Sequence, residues 1–291
     1  MQLPMNITLP SLPARPDDSH KGSFGSVLIV AGSRGMSGAA ALAGRGALRG
    51  GAGLVTVAVP IGVQPIVAAI EPSYLTAGLT EDDDGRFGRL AATEILNLSK
   101  NVTAVAIGPG WGKSGDLMDL AQIIYTHVDK PLIVDADALN ALAASSGGIP
   151  SPAVRAPRIL TPHPGEFARL TGTDTQTIQN DRQTLAAEFA LKHKVVVVLK
   201  GQGTVITDGT KAAINTTGNS GMATGGTGDV LTGLIAALLA QEMAPFDAAH
   251  LAVHLHGLAG DLAAAEVGKP GMIASDLPCY LGRAWRHVGS G

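Results

Sequence analysis

The sequence has little of several things that would classify a protein at a glance. It holds one cysteine, Cys279, in 291 residues. That excludes an intrachain disulfide framework and argues against a cysteine-ligated metal site. Aromatic residues make up only 3 % of the chain, so a core has to be built from alanine, valine, leucine and isoleucine. No block of lysine and arginine stands out and the formal net charge is −3. The basic footprint of a nucleic-acid binder is therefore missing. No apolar run reaches the roughly 18–20 residues that span a bilayer. The first residues, MQLPMNITLPSLPARPDD, carry early prolines and no apolar signal core. Neither nucleic acid nor membrane is expected as a partner, and a soluble, cytoplasmic protein is expected.

What is abundant is glycine and aliphatic side chain. The 38 glycines follow no fixed period, so they are assigned to turns and close backbone approaches. Hydrophobic residues make up 45 %, enough for a large core, and the length suits one large α/β domain. Residues 1–20 read as an irregular arm. SVLIVAG (26–32) is a buried strand, SGAAALAGRGALRGGAG (37–53) a helix of small residues, and LVTVAVP (54–60) the next strand. TAVAIGPG (103–110), KPLIVDADALNALAA (130–144) and RILTPHPGEFARLTG (158–172) repeat a strand that ends in a polar or glycine turn, the last two running on into helices. Helices are expected at 114–128 and 179–193, and a strand with a hairpin-like continuation at 194–209. TEDDDGRFG (80–88) reads as an acidic surface loop. Alternating strand and helix implies a mostly parallel central sheet with helices on both faces. No composition break divides the chain, so a single domain over 1–291 is expected. Ligands bind outside the carboxyl ends of strands in such sheets. AGSRGMSG, GPGWG, DADALN, TPHPGE and KGQGT should therefore line one rim.

GGTGD (225–229) precedes an apolar helix. Gly225, Gly226, Thr227 and Gly228 are candidates for an anion hole, because a helix start presents unpaired N–H groups and the positive end of the dipole. The competing reading is a plain glycine turn with Asp229 as N-cap. It is not a Walker A loop, since no lysine follows the glycines, and AGSRGMSG does not satisfy G-x-G-x-x-G. Lys200 ends the strand before KGQGT, where the glycines let a ligand approach the backbone. His163 stands between two prolines that stiffen its turn. Asp135 and Asp137 either cap the following helix or face the site. Trp111 either stacks on a ring or covers the core edge. His250 and His254 lie four apart on a helix but lack the glutamate of H-E-x-x-H, which argues against zinc.

In this order, SHKGSFGSVLIVAGSRGMSGAAALA, GPGWG, TPHPGEFARL, VVLKGQGTVI and NSGMATGGTGDVLTG resemble the ADP/ATP-dependent NAD(P)H-hydrate dehydratase family of the ribokinase-like superfamily. The resemblance runs from residue 19 to 285; GTGD alone would imply only the superfamily. It implies a ribokinase-like fold and repair of the C6 hydrate of NADH or NADPH, the (S)-epimer of NADHX or NADPHX. The phosphoryl donor would be ADP (or ATP), with Mg²⁺ screening the phosphates through ligands the sequence does not name. With ADP the products are AMP and phosphate. Asp229 would be the catalytic general base. Carried over residue by residue, Ala39, Gly110, His163 and Asp229 would contact the hydrate. Lys200, Gly201, Gln202, Gly203, Thr204 and Gly228 would contact the nucleotide. The chain departs from the family pattern at Thr216 and Ser220, where proline is common, which is expected to loosen that loop. With only an arm before the first motif, a fused epimerase domain is expected to be absent and that activity supplied by a separate protein. A homotetramer is expected from the same resemblance. Two other readings compete: a ribokinase-like small-molecule kinase of the hydroxyethylthiazole type, and a non-catalytic nucleotide-binding sensor.

Overall fold

The computed structural model describes residues 7–150 and 156–289. Residues 1–6 of the expected arm lie outside the described residues; 7–20 carry no helix or strand.

Short aliphatic runs become strands because both faces of each are covered. In β1 (Ser26–Val30), Val27 and Ile29 enter one core layer while Leu28 and Val30 enter the other, the two-residue alternation of a pleated strand. The chain continues through β2 (Leu54–Pro60), β3 (Leu75–Leu79), β4 (Ala104–Ile107), β5 (Leu132–Val134), β6 (Arg158–Leu160) and β7 (Val196–Leu199), and the seven strands β1 to β7 pair in parallel with one another. β8 (Val205–Thr207) and β9 (Ala212–Ile214) then pair antiparallel, so the hairpin read after residue 194 is present. The strand order is β3-β2-β1-β4-β5-β6-β7-β8-β9. The winding reverses between β1 and β4, the position where open α/β sheets leave a crevice.

The helices are α1 (Ser37–Arg49), α2 (Gln64–Ile70), α3 (Ala91–Ser99), α4 (Gly115–His127), α5 (Ala136–Ala144), α6 (Pro164–Thr171), α7 (Thr175–Asn180), α8 (Arg182–His193), α9 (Thr227–Ala240), α10 (Pro245–Val267) and α11 (Leu277–Gly289). Helices α1, α9, α10 and α11 build one core layer, and α3, α4, α5, α6 and α8 the other. Sheet and faces thus match the ribokinase-like expectation. In α9 every residue from Val230 to Ala240 is buried. It lies close against α1 because a Cβ at Gly46 would overlap the Val230 carbonyl, and one at Gly233 the Ala43 carbonyl. The small residues of α1 therefore serve packing within the chain.

Four readings of the sequence are adjusted. Helix α1 stops at Arg49, because the glycines at 50–53 turn the chain into β2. The stretch 179–193 is two helices broken at Asp181, which has φ −143° and ψ 55°. In the acidic loop Phe87 is fully buried and meets Trp111 edge-on at 5.7 Å, while Asp82 accepts from the Arg86 guanidinium. Helix α9 begins at Thr227, two residues before Asp229.

Candidate functional site

The start of α9 depends on glycine twice over. Gly226, its N-cap, has φ +95°, and a Cβ there would lie 2.6 Å from Leu42 Cδ1. Asp229 is the third residue of the helix and not its cap, and its N–H donates to the Gly226 carbonyl at 3.1 Å. The carboxylate is left free to face the site, and the first-turn N–H groups of Thr227 and Gly228 have no carbonyl within the helix to pair with. Gly225 is exposed and borders open space. The loop is closed from behind. The Thr227 hydroxyl donates to the carbonyls of Met222 at 3.1 Å and Thr224 at 3.2 Å. His256 Nε2 lies 2.9 Å from the Thr227 carbonyl. Burial pushes the His256 pKa down to about 4, so the ring is neutral and Nε2 donates. The preceding loop is tied down in spite of Thr216 and Ser220: the Thr217 hydroxyl donates to the His254 carbonyl at 2.9 Å, and Asp261 accepts from Gly218 N at 2.8 Å and Asn219 Nδ2 at 3.0 Å.

Facing this helix start is a cluster of one lysine and three carboxylates, Asp135, Asp137 and Glu166. Lys200 Nζ donates to Asp135 Oδ1 at 2.7 Å and lies 4.0 Å from Glu166 Oε2. A Cβ at Gly228 would sit 3.3 Å from the same ammonium, so Gly228 lets Lys200 reach the helix. Asp135 is 1 % exposed, and its other oxygen accepts from the Thr232 hydroxyl at 2.7 Å. Thr232 is three residues after Asp229, hence on the same helix face. Ala136 turns the chain with φ +50°, a left-handed conformation uncommon for a residue with a Cβ. Asp137 then accepts from Gly112 N at 2.9 Å. Asp135 occupies the N-cap position of α5 but makes no side-chain capping bond; both aspartates face the cluster.

The charges shift one another. Burial, with the neighbouring charge of Asp135, pushes the Asp229 carboxyl up to about 7 against the opposing pull of Lys200. Burial likewise raises Glu166 to about 7. Burial opposes the Lys200 charge, yet Asp135 and Glu166 outweigh it and raise that pKa. His163 caps α6: Nδ1 accepts from Gly165 N at 3.0 Å and Glu166 N at 3.2 Å, while Glu166 Oε2 accepts from His163 N at 2.8 Å. Burial and the Lys200 charge lower its pKa. A neutral ring that accepts at Nδ1 carries its proton on Nε2.

The remaining rim residues fall into two groups. Gly110, at φ +65°, approaches α1 so closely that a Cβ would lie 2.8 Å from that of Ala39. Ser33 Oγ donates to the Gly110 carbonyl at 2.9 Å, tying the turns after β1 and β4 together. Lys200 N donates to the Pro162 carbonyl at 2.8 Å, tying the turns after β6 and β7. Gly201 to Thr204 close on themselves through Thr204 Oγ1 donating to the Gly201 carbonyl at 2.9 Å. Arg182 steadies this loop by donating to the Leu199 and Lys200 carbonyls at 2.8 and 3.2 Å. A cleft of about 420 Å³ borders Gln202 and Gly203 on its outer side, next to Arg182. Trp111 is buried, with Nε1 donating to the Val30 carbonyl at 2.9 Å; it covers the core edge and is turned away from any ligand. Lys200, Gly228, Asp229 and His163 thus form one cluster, and Ala39 with Gly110 a second. Gly112 and Asp137 link the two. Glu166, Thr232 and His256 were not singled out from sequence, although the three-residue spacing of Asp229 and Thr232 was there to be read.

The family model for NAD(P)H-hydrate dehydratase matches residues 27–283. The chain belongs to the NAD(P)H-hydrate dehydratase family. Among its relatives, the bifunctional NAD(P)H-hydrate repair enzyme Nnr of Moorella thermoacetica is 46 % identical over 279 residues, 95 % of this chain and 52 % of that protein. The chain thus spans about half the length of that relative. The ADP-dependent (S)-NAD(P)H-hydrate dehydratase of Bacillus subtilis is 37 % identical, with 95 % of each chain covered. Its crystal structure, co-crystallised with ATP and Mg²⁺, superposes with a TM-score of 0.83 at 36 % identity, covering 95 % of this chain and 94 % of that one. Hydroxyethylthiazole kinase of Pyrococcus horikoshii shares the fold at a TM-score of 0.58 and 17 % identity, over 90 % of this chain and 89 % of that one. At that distance the likeness concerns fold alone.

Proposed function

We propose that this dehydratase-family chain converts the (S)-epimer of NADH or NADPH hydrate back to the dihydronicotinamide at the expense of ADP. The observation that carries the reading is the Asp229 carboxylate, half-buried at the start of α9 beside the Lys200 ammonium. Hydroxide is a poor leaving group and phosphate a good one. Asp229 takes the proton of the C6 hydroxyl as its oxygen bonds to the β-phosphorus of ADP and AMP departs. A carboxyl titrating near 7 is matched to that transfer at neutral pH. The N–H groups at Thr227 and Gly228, with Lys200 against them, hold the migrating phosphoryl group by fixed dipoles and charge. The ring nitrogen's electron pair then expels phosphate, and loss of a C5 proton restores the dihydropyridine, so water leaves in the net sense.

In the same reading Ala39, Gly110 and His163 contact the hydrate, and Lys200 to Thr204 with Gly228 the nucleotide. The described residues build no cation cage from three or more side chains, and Asp135 and Glu166 already turn to Lys200. Mg²⁺ would therefore arrive on phosphate oxygens and water, as this ion commonly does. A cytoplasmic homotetramer with a functional link to NAD(P)H-hydrate epimerase activity completes the proposal. The deciding assay incubates the protein with ADP and hydrated NADH and follows dihydronicotinamide absorbance. Recovery with matching AMP release is expected. No recovery, together with phosphorylation of a simple alcohol such as hydroxyethylthiazole, would replace the dehydratase reading with a kinase.

A further inference from the structure

Asp135 has no part yet in the chemistry, although it is the most enclosed carboxylate of the cluster. Its two oxygens are divided between two other elements: Oδ1 takes the Lys200 ammonium and Oδ2 the Thr232 hydroxyl, each at 2.7 Å. Thr232 belongs to α9, one turn beyond Asp229. Lys200 follows β7, and its ammonium lies 3.3 Å from where a Cβ at Gly228 would sit. One carboxylate therefore ties the strand carrying the cation to the helix carrying the base. A buried Lys–Asp pair alone would be weak evidence of purpose. Here the second oxygen is spent on the reacting helix, and a left-handed Ala136 delivers the group.

We propose that Asp135 is the positioning residue of the reaction: held by Thr232, it fixes the Lys200 ammonium against the first turn of α9 and sets its carboxylate beside Asp229. The inference rests on Asp229 being the base. The groups facing Asp229 are Asp135 and Asp137 from the β5–α5 junction, Glu166 from α6 and Lys200 from the end of β7. His256 from α10 stands behind the loop as a neutral ring. Of these, Asp135 contributes the largest repulsion. Its removal eases ionisation of Asp229 and frees the ammonium to wander.

The test compares pH profiles of kcat for the wild type, Asp135→Asn, Thr232→Val and Thr232→Ser, with ADP and hydrated NADH saturating. Asp135→Asn is expected to move the acid limb to lower pH by about one unit and to lower plateau turnover about tenfold or more. Thr232→Val keeps the volume and loses the hydroxyl; it is expected to reduce kcat about tenfold, while Thr232→Ser restores it to within about twofold, the difference of one charge-assisted hydrogen bond. A residue that only packs would show the reverse order, valine tolerated and serine harmful. Coincident acid limbs for wild type and Asp135→Asn, or Thr232→Val at least as active as Thr232→Ser, would overturn the proposal. If Asp135→Asn does not fold, the Thr232 pair decides alone. Asp229→Asn measured alongside separates the two readings: if it keeps turnover, the base assignment fails, whereas a dead Asp229→Asn beside an unmoved Asp135→Asn profile sinks only the positioning role.

Discussion

At the scale of single residues, the site is a set of charges held where water would be more comfortable. Asp229 near the start of α9 is raised to about 7 by burial and by Asp135. Lys200 stays charged because Asp135 and Glu166 outweigh its burial. Replacing Asp229 by Asn removes the proton acceptor and keeps the shape. Turnover is expected to fall at least about 100-fold, with nucleotide affinity, read by calorimetry, largely kept. Wild-type kcat should decline as pH falls through about 7, because protonated Asp229 cannot accept a second proton. Full turnover in the Asn variant would remove Asp229 from its role.

At the scale of elements, α9 is a buried rod whose position depends on bare glycines. Gly46 and Gly233 let it touch α1 backbone to backbone. A methyl at Gly233 has to push against the Ala43 carbonyl, which cannot swing away. Gly233→Ala is expected to lose about 1–3 kcal/mol of stability through overpacking, measured as a lower urea midpoint. It should also lower turnover, because Asp229 and Thr232 ride on the same helix. Gly282 in α11 is the control: nothing lies within 4 Å of a Cβ there. Gly282→Ala should be neutral or stabilising by up to about 1 kcal/mol, since alanine has the better helix propensity. Equal effects of the two substitutions would contradict the packing account. Helix α10 holds the other side of the same loop through the His254 carbonyl, the His256 ring and Asp261.

At the scale of the molecule, one nine-stranded sheet brings every rim turn to a single edge, and the charge gathered there opposes folding at neutral pH. Asp229 and Glu166 are both raised in the folded state to about 7 from the ordinary carboxylate range near 4. Between those limits the native state binds more protons than the unfolded chain, so their contribution to stability falls as pH rises through the window. Thermal melts of wild type and Asp229→Asn should therefore diverge. The variant's advantage in Tm should grow from about pH 4 to about pH 7 and level off above it. A constant difference across that range would show that Asp229 titrates normally. Saturating nucleotide acts in the opposite sense: at a hundredfold excess over Kd it should add about 2.7 kcal/mol by mass action.

The sequence by itself determined what local rules decide. The short, β-branched apolar runs, SVLIV and its counterparts, set the strands, and glycines after them marked the turns, because a turn at positive φ favours glycine wherever it stands. The five motifs in order pointed to the family, and Lys200, His163 and Asp229 were readable as candidates from their places at strand and helix ends. Only the tertiary structure decided which candidates meet. Asp135 is 65 residues from Lys200 and 97 from Thr232, and no periodicity spans such distances; the strand order brings them together. The same holds for Trp111, whose side chain was ambiguous until Phe87 was seen to cover it. Propensity alone leaves Asp229 open as the cap of α9, the competing reading of the glycine turn. In the structure the cap is Gly226, at positive φ and in a place where a Cβ would meet Leu42 and Ala274, which leaves Asp229 a free carboxylate beside a lysine.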